Sequence, residues 1–80
     1  MRVETTKRFE KLFSNLSSQL KAKSLKQIKL LEDDPSHPSL DFKKLKGPKN
    51  EYQFRENYKF RALGVLNKGT LSLFWIGSHK

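Results

Sequence analysis

Residues 43–61 hold Lys43, Lys44, Lys46, Lys49, Arg55, Lys59 and Arg61 against two acids, Glu51 and Glu56, a net +5 in one short stretch. Cations at that density bind anions, and the ligand that answers several fixed cations at once is a polyphosphate backbone. Strand geometry adds direction, because successive side chains point to opposite faces. Tyr52 and Phe54 share one face and Arg55 takes the other, while Lys59 and Arg61 oppose Tyr58 and Phe60. With the aromatic face turned to a core, Arg55, Lys59 and Arg61 project together from an open face, beside the Lys43–Lys46 segment. A single surface lysine does no more than keep a small protein soluble. Two arginines and a lysine on strands, next to a lysine-rich loop, form a surface. Lys7, Arg8, Lys11, Lys21, Lys23, Lys26 and Lys29 instead decorate helical faces, where solvation explains them and electrostatic steering is a secondary use.

Other chemistries find less support. The chain has no cysteine, which removes disulfides, thiolate zinc sites and cysteine nucleophiles together. Its two histidines do not lie at metal-ligand spacing: His37 sits between prolines in a turn, and His79 comes after Trp75, Ile76, Gly77 and Ser78 at the end of an apolar strand. No glycine-rich loop is placed to cradle a nucleotide, and no Ser-His-Asp arrangement emerges from spacing. No metal and no small-molecule cofactor is expected. Glu32, Asp33, Asp34 and Asp41 make residues 32–41 an acidic patch that repels phosphate.

Eighty residues with 35% hydrophobic content supply one small core, so residues 1–80 are expected to form a single domain. Low hydrophobicity and a net charge of +9 also suit disorder, yet the aromatics and the run from Leu71 to Ile76 provide material for a fixed core. Met1 to Glu10 lacks an apolar leader segment, and no stretch approaches the roughly 18 apolar residues of a membrane span. The expectation is a cytoplasmic protein with no membrane association.

The basic residues must be positioned by the elements around them. Met1 to Thr6 reads as a strand, with Thr5 or Thr6 as the cap of a first helix. In that helix Phe9, Leu12, Phe13 and Leu16 fall on one stripe. After the polar break of Ser14, Asn15, Ser17 and Ser18, Leu20, Leu25, Ile28 and Leu31 mark a second helix running to about Asp33. Ser24 with Gln27 also matches a capping box, so the second helix starts either after that break or at Ser24. Pro35 and Pro38 are expected to hold the chain extended through Leu40. Three alternating segments, Tyr52–Arg55, Tyr58–Leu66 and Leu71–Ile76, read as strands, the last two joined by a tight hairpin at Asn67, Lys68 and Gly69. The near-continuous apolar run of the last strand predicts a central position, covered on both faces. The fold class is α+β: an N-terminal strand, a two-helix hairpin, then an antiparallel β-meander, with both helices on one face of a small sheet.

Four segments in this order carry a resemblance: Asp34-Pro35-Ser36-His37-Pro38-Ser39-Leu40, Lys44-Leu45-Lys46-Gly47, Asn57-Tyr58-Lys59-Phe60-Arg61-Ala62 and Phe74-Trp75-Ile76-Gly77-Ser78-His79. Together with the order of elements, the chain resembles, over nearly its whole length, the RelE/ParE superfamily of bacterial toxins. The resemblance implies the toxin of a type II toxin–antitoxin pair, held inactive by a cognate antitoxin. In the RelE branch such a toxin cuts mRNA on the ribosome; in the ParE branch it poisons DNA gyrase; a degenerate relative would bind antitoxin or nucleic acid without cleaving.

The cleaving branch needs a base for the ribose 2′-OH, an acid for the 5′ leaving oxygen and cations for the charge that accumulates between them. On that reading Arg55 and Arg61 clamp phosphate and stabilise the transition state, because a guanidinium does not give up its proton. Lys44 or Lys46, crowded by other cations, serves as base, and His79 as acid or base. Lys43, Lys49 and Lys59 add contacts to the RNA backbone. Lys59 stands where many relatives place an arginine, with Arg61 keeping a guanidinium two residues on.

Overall fold

The computed structural model describes residues 1–78. Strand β1 (Arg2–Thr5) leads into helix α1 (Lys7–Ser14), which begins where Thr6 turns its hydroxyl to accept from the Phe9 N–H at 3.3 Å. The same hydroxyl donates to the Leu73 carbonyl at 2.9 Å, so the cap also fastens α1 to the sheet. Helix α2 (Ser18–Asp33) is capped by Ser17, whose Oγ accepts from the Leu20 N–H at 3.2 Å. The second helix thus starts at Ser18, the last residue of the polar break, and Ser24 is a buried residue within it rather than a cap.

The chain from Asp34 to Leu40 is turned, not extended. Pro38 opens a single 3-10 turn, Pro38–Leu40, with its fixed φ suited to a first helical position, and the His37 Nδ1 accepts from the Ser39 N–H at 3.2 Å. His37 is therefore a local cap, and Leu40, fully buried, pins the segment to the core. Asp41 leaves this turn in the left-handed region with φ 44°, a conformation that Asp tolerates better than most side chains.

Four further strands complete the chain: β2 (Lys43–Lys44), β3 (Glu51–Arg55), β4 (Phe60–Asn67) and β5 (Thr70–Ser78). The sheet order is β1-β5-β4-β3-β2, antiparallel throughout except that β1 runs parallel to β5. β2 escapes the sequence pattern because two lysines on an edge carry no alternation. The β4–β5 hairpin turns through Lys68 and Gly69, both at positive φ (51° and 80°), which matches the twist of the flanking strands.

Phe54, Ala62, Leu71, Leu73 and Ile76 face the helices and pack with Phe9, Leu31 and Leu40 into one core. β5 is an interior strand between β1 and β4, but its apolar run has a different cause from burial on both faces. Leu63 pairs with Trp75 and Gly64 with Leu73, which leaves Phe74 as a bulge. The extra residue reverses the alternation, so Leu73 and Ile76 both reach the core while Trp75 turns to the opposite face. No helix of the described residues is long and apolar enough to cross a membrane.

Candidate nucleic-acid interface

Residues directly opposite on paired strands share a face, and this places the basic side chains. Lys43 pairs with Gln53, Gln53 with Leu63 and Leu63 with Trp75; Arg55 pairs with Arg61, and Arg61 with Gly77. Because Phe54, Ala62 and Ile76 fill the alternate positions and are buried beneath the helices, these residues form the face that the helices leave uncovered.

Arg55 and Arg61 lie on this face with Cα atoms about 5 Å apart, as cross-strand partners must. Like charges directly opposite repel, and each arginine is held by a separate partner. Arg55 reaches Asp41 Oδ2 at 3.5 Å, an oxygen that also lies 3.6 Å from Lys43 Nζ. Arg61 donates to the Oε1 of Gln53, a buried amide. Asp41, Gln53, Phe54, Arg55 and Arg61 line a shallow cleft. Such a surface fits a phosphate that bridges two guanidiniums better than it fits an enclosed small molecule.

Arg55, Arg61 and Lys43 are thus brought together as the sequence suggests. Lys59 is not on a strand: the Asn57 Oδ1 accepts from the N–H groups of Lys59 and Phe60, at 2.8 and 2.9 Å, and closes a tight turn before β4. Its ammonium rests 5.4 Å from the centre of the exposed Tyr58 ring. Lys44 pairs with Tyr52 and so points to the helix side, away from the arginines. Lys46 and Lys49 sit in the β2–β3 connection, where Leu45 bonds Glu51 and Asn50 bonds Leu66. That is the far end of β3 from Arg55, roughly 14 Å along at about 3.4 Å per residue. His79 lies outside the described residues.

Three contributors carry no sequence signal of their own. Asp41 belongs by sequence to an acidic patch, and only the left-handed turn after Leu40 swings it into the basic cleft. Gln53 is an ordinary polar residue until the register sets it beside Arg61. Glu56 comes after Arg55 and is fully buried, with both carboxyl oxygens and the Ser24 Oγ lacking a hydrogen-bond partner of good geometry. Burial pushes its carboxyl up to about 8, and the Ser24 hydroxyl and the Lys23 charge offset this only in part. A neutral Glu56 leaves Glu51 as the one acidic charge of residues 43–61. Gln27, one turn along α2, donates to the Arg55 carbonyl at 2.9 Å, so the helix braces the end of β3 from behind.

The same fold occurs in solved toxin structures. The RelBE2 toxin–antitoxin complex of Mycobacterium tuberculosis superposes with a TM-score of 0.79 at 15% identity, over 98% of this chain and 96% of that chain. The archaeal RelE–RelB complex of Pyrococcus horikoshii OT3 gives 0.77 at 21% identity, over 96% and 92%. The YoeB/ParE toxin of Agrobacterium tumefaciens gives 0.76 at 15% identity, over the whole of both chains. No protein-family model matches the sequence, and no curated protein sequence matches it significantly. The chain has the α+β fold of RelE-like toxins, with both helices on one face of the sheet as the sequence leads one to expect.

Proposed function

We propose that this protein is the toxin of a type II toxin–antitoxin pair and cuts mRNA on the bacterial ribosome through its basic sheet face. The observation that carries the reading is the direct pairing of Arg55 with Arg61 on the uncovered face, each braced by a neutral or acidic partner. Two like charges held at adjacent positions await an anion, and a backbone phosphate supplies it. The structural neighbours add support, since several were solved as toxin–antitoxin complexes.

In the reaction the ribose 2′-oxygen attacks the adjacent phosphorus and the bond to the 5′-oxygen breaks, leaving a 2′,3′-cyclic phosphate and a 5′-hydroxyl. Arg55 and Arg61 hold the non-bridging oxygens and the charge that gathers on them in the transition state. One proton leaves the 2′-hydroxyl and one reaches the 5′-oxygen. Lys44 and Lys46 stand away from the arginine pair, so we assign one of these transfers to His79, two residues beyond Gly77 in the sequence, and the other to a water molecule. The antitoxin is expected to present acidic side chains to the +9 chain.

A brief pulse of expression followed by primer extension on cellular mRNA tests the reading. Discrete new 5′ ends that vanish in Arg61→Ala and weaken in His79→Ala are expected. Growth arrest with DNA-damage signalling and no mRNA cuts would overturn it in favour of gyrase poisoning. Co-purification with the product of the neighbouring reading frame tests the antitoxin.

A further inference from the structure

Trp75 is the chain's one tryptophan, and nothing in the arginine cleft uses it. An indole on the solvent side of a sheet is costly surface to leave partly wet, and the bulge at Phe74 is what places it there. Without that extra residue Trp75 would share the core face with Leu73. The ring does not stand away from the sheet. A Cβ built on Gly77 would fall 2.5 Å from Cζ2, 2.7 Å from Cη2 and 3.3 Å from Cε2 of Trp75, so the benzo edge occupies the space that a side chain at residue 77 would fill. Glycine at 77 lets the indole fold down over the strand. Gly77 is also the cross-strand partner of Arg61, which sets the ring and the guanidinium at neighbouring positions on one face.

A half-buried aromatic ring folded against backbone, beside cations that fit a phosphate, is the pairing by which proteins hold single-stranded nucleic acid: the cation takes the backbone and the ring takes a base. We infer that Trp75, seated over Gly77, is a stacking platform for the nucleobase next to the phosphate held by Arg55 and Arg61. The inference rests on the reading of this face as an RNA surface and adds a base-contacting subsite to it. Stacking tolerates any base, so the platform sets the position of the strand on the face and leaves sequence choice to other contacts.

Because no other tryptophan contributes, the emission of Trp75 reports the subsite directly. Short single-stranded RNA is titrated into the protein while Trp75 fluorescence and the anisotropy of end-labelled RNA are followed together. Quenching that saturates with the same midpoint as the anisotropy is expected, with affinity lost about tenfold in Trp75→Ala and largely kept in Trp75→Phe. Gly77→Ala, which forces the ring off its seat, should weaken binding in the same direction. RNA binding with unchanged emission and equal affinity in Trp75→Ala would overturn the platform and leave the RNA surface standing. Absence of RNA binding by the wild-type chain, read by anisotropy, would overturn both.

Discussion

Glu56 makes the stability of this protein depend on pH in a way that a single substitution removes. In the unfolded chain its carboxyl titrates near 4.5, and in the folded protein burial raises it to about 8. Below the lower value the group is protonated in both states and contributes nothing to pH dependence. Above it the unfolded chain releases a proton that the folded chain keeps, so stability falls as pH rises, by at most about 1.4 kcal/mol per pH unit, until the folded carboxyl also ionises. Between about pH 5 and 7 the loss comes to about 2–3 kcal/mol, on the order of 10 °C in Tm for a domain of this size. Glu56→Gln keeps the shape and removes the proton. Urea or thermal unfolding of both proteins across this range, followed by circular dichroism, isolates the group, because the other titrating side chains are common to both. The advantage of the variant over the wild type should grow by about 2–3 kcal/mol between about pH 5 and pH 7. A difference that stays constant with pH would show that Glu56 is not held neutral by burial.

Three other outcomes are expected from the geometry. A methyl group at Gly64 would meet Leu71 Cγ at 2.9 Å and Leu73 Cδ2 at 3.0 Å on the core side, so Gly64→Ala should lower stability by about 1–3 kcal/mol in a denaturation curve. Asp41→Asn frees Arg55 and Lys43 from a competing carboxylate, and RNA affinity measured by anisotropy should rise several-fold, with unchanged affinity counting against the cleft as the binding surface. With Arg55 and Arg61 sharing one phosphate of a single strand and Lys43 meeting a second, log K against log salt should have a slope of about −1.4, falling to about −0.7 in Lys43→Ala.

The helical stripe of Phe9, Leu12 and Phe13, the tight hairpin and the alternation around Phe54 were all legible in the sequence, because each is a local pattern read against a fixed period; Leu16, expected on the same stripe, instead packs against the core from just beyond the end of α1. That alternation also sufficed to set Arg55 and Arg61 on one face. The features that escaped depend on register and on long-range contact. The bulge at Phe74 has no glycine or proline to mark it, and it divides an apolar run that suggested burial on both faces into three core residues, Leu71, Leu73 and Ile76, and a half-buried Trp75 on the opposite side. Lys59 looked like a strand residue until the Asn57 side chain closed a turn around it. Lys44 joined the basic cluster by charge and left it by parity, since Lys43 already points to the open face. Asp41 and Glu56 ran against their sequence context altogether: one acid enters the basic cleft through a left-handed turn, and the other is buried against Ser24 of α2.

Metal-independent RNA cleavage centred on Arg61 is put to its sharpest test by the chemistry of the cut ends. Purified protein is incubated with translating ribosomes in the presence of a chelator at concentrations that keep the ribosomes intact, and the mRNA fragments are analysed at both termini. The wild type should leave 2′,3′-cyclic phosphate and 5′-hydroxyl ends, and Arg61→Ala should give no fragments. Fragments with 5′-phosphate ends, or equal cleavage by Arg61→Ala, would contradict that mechanism.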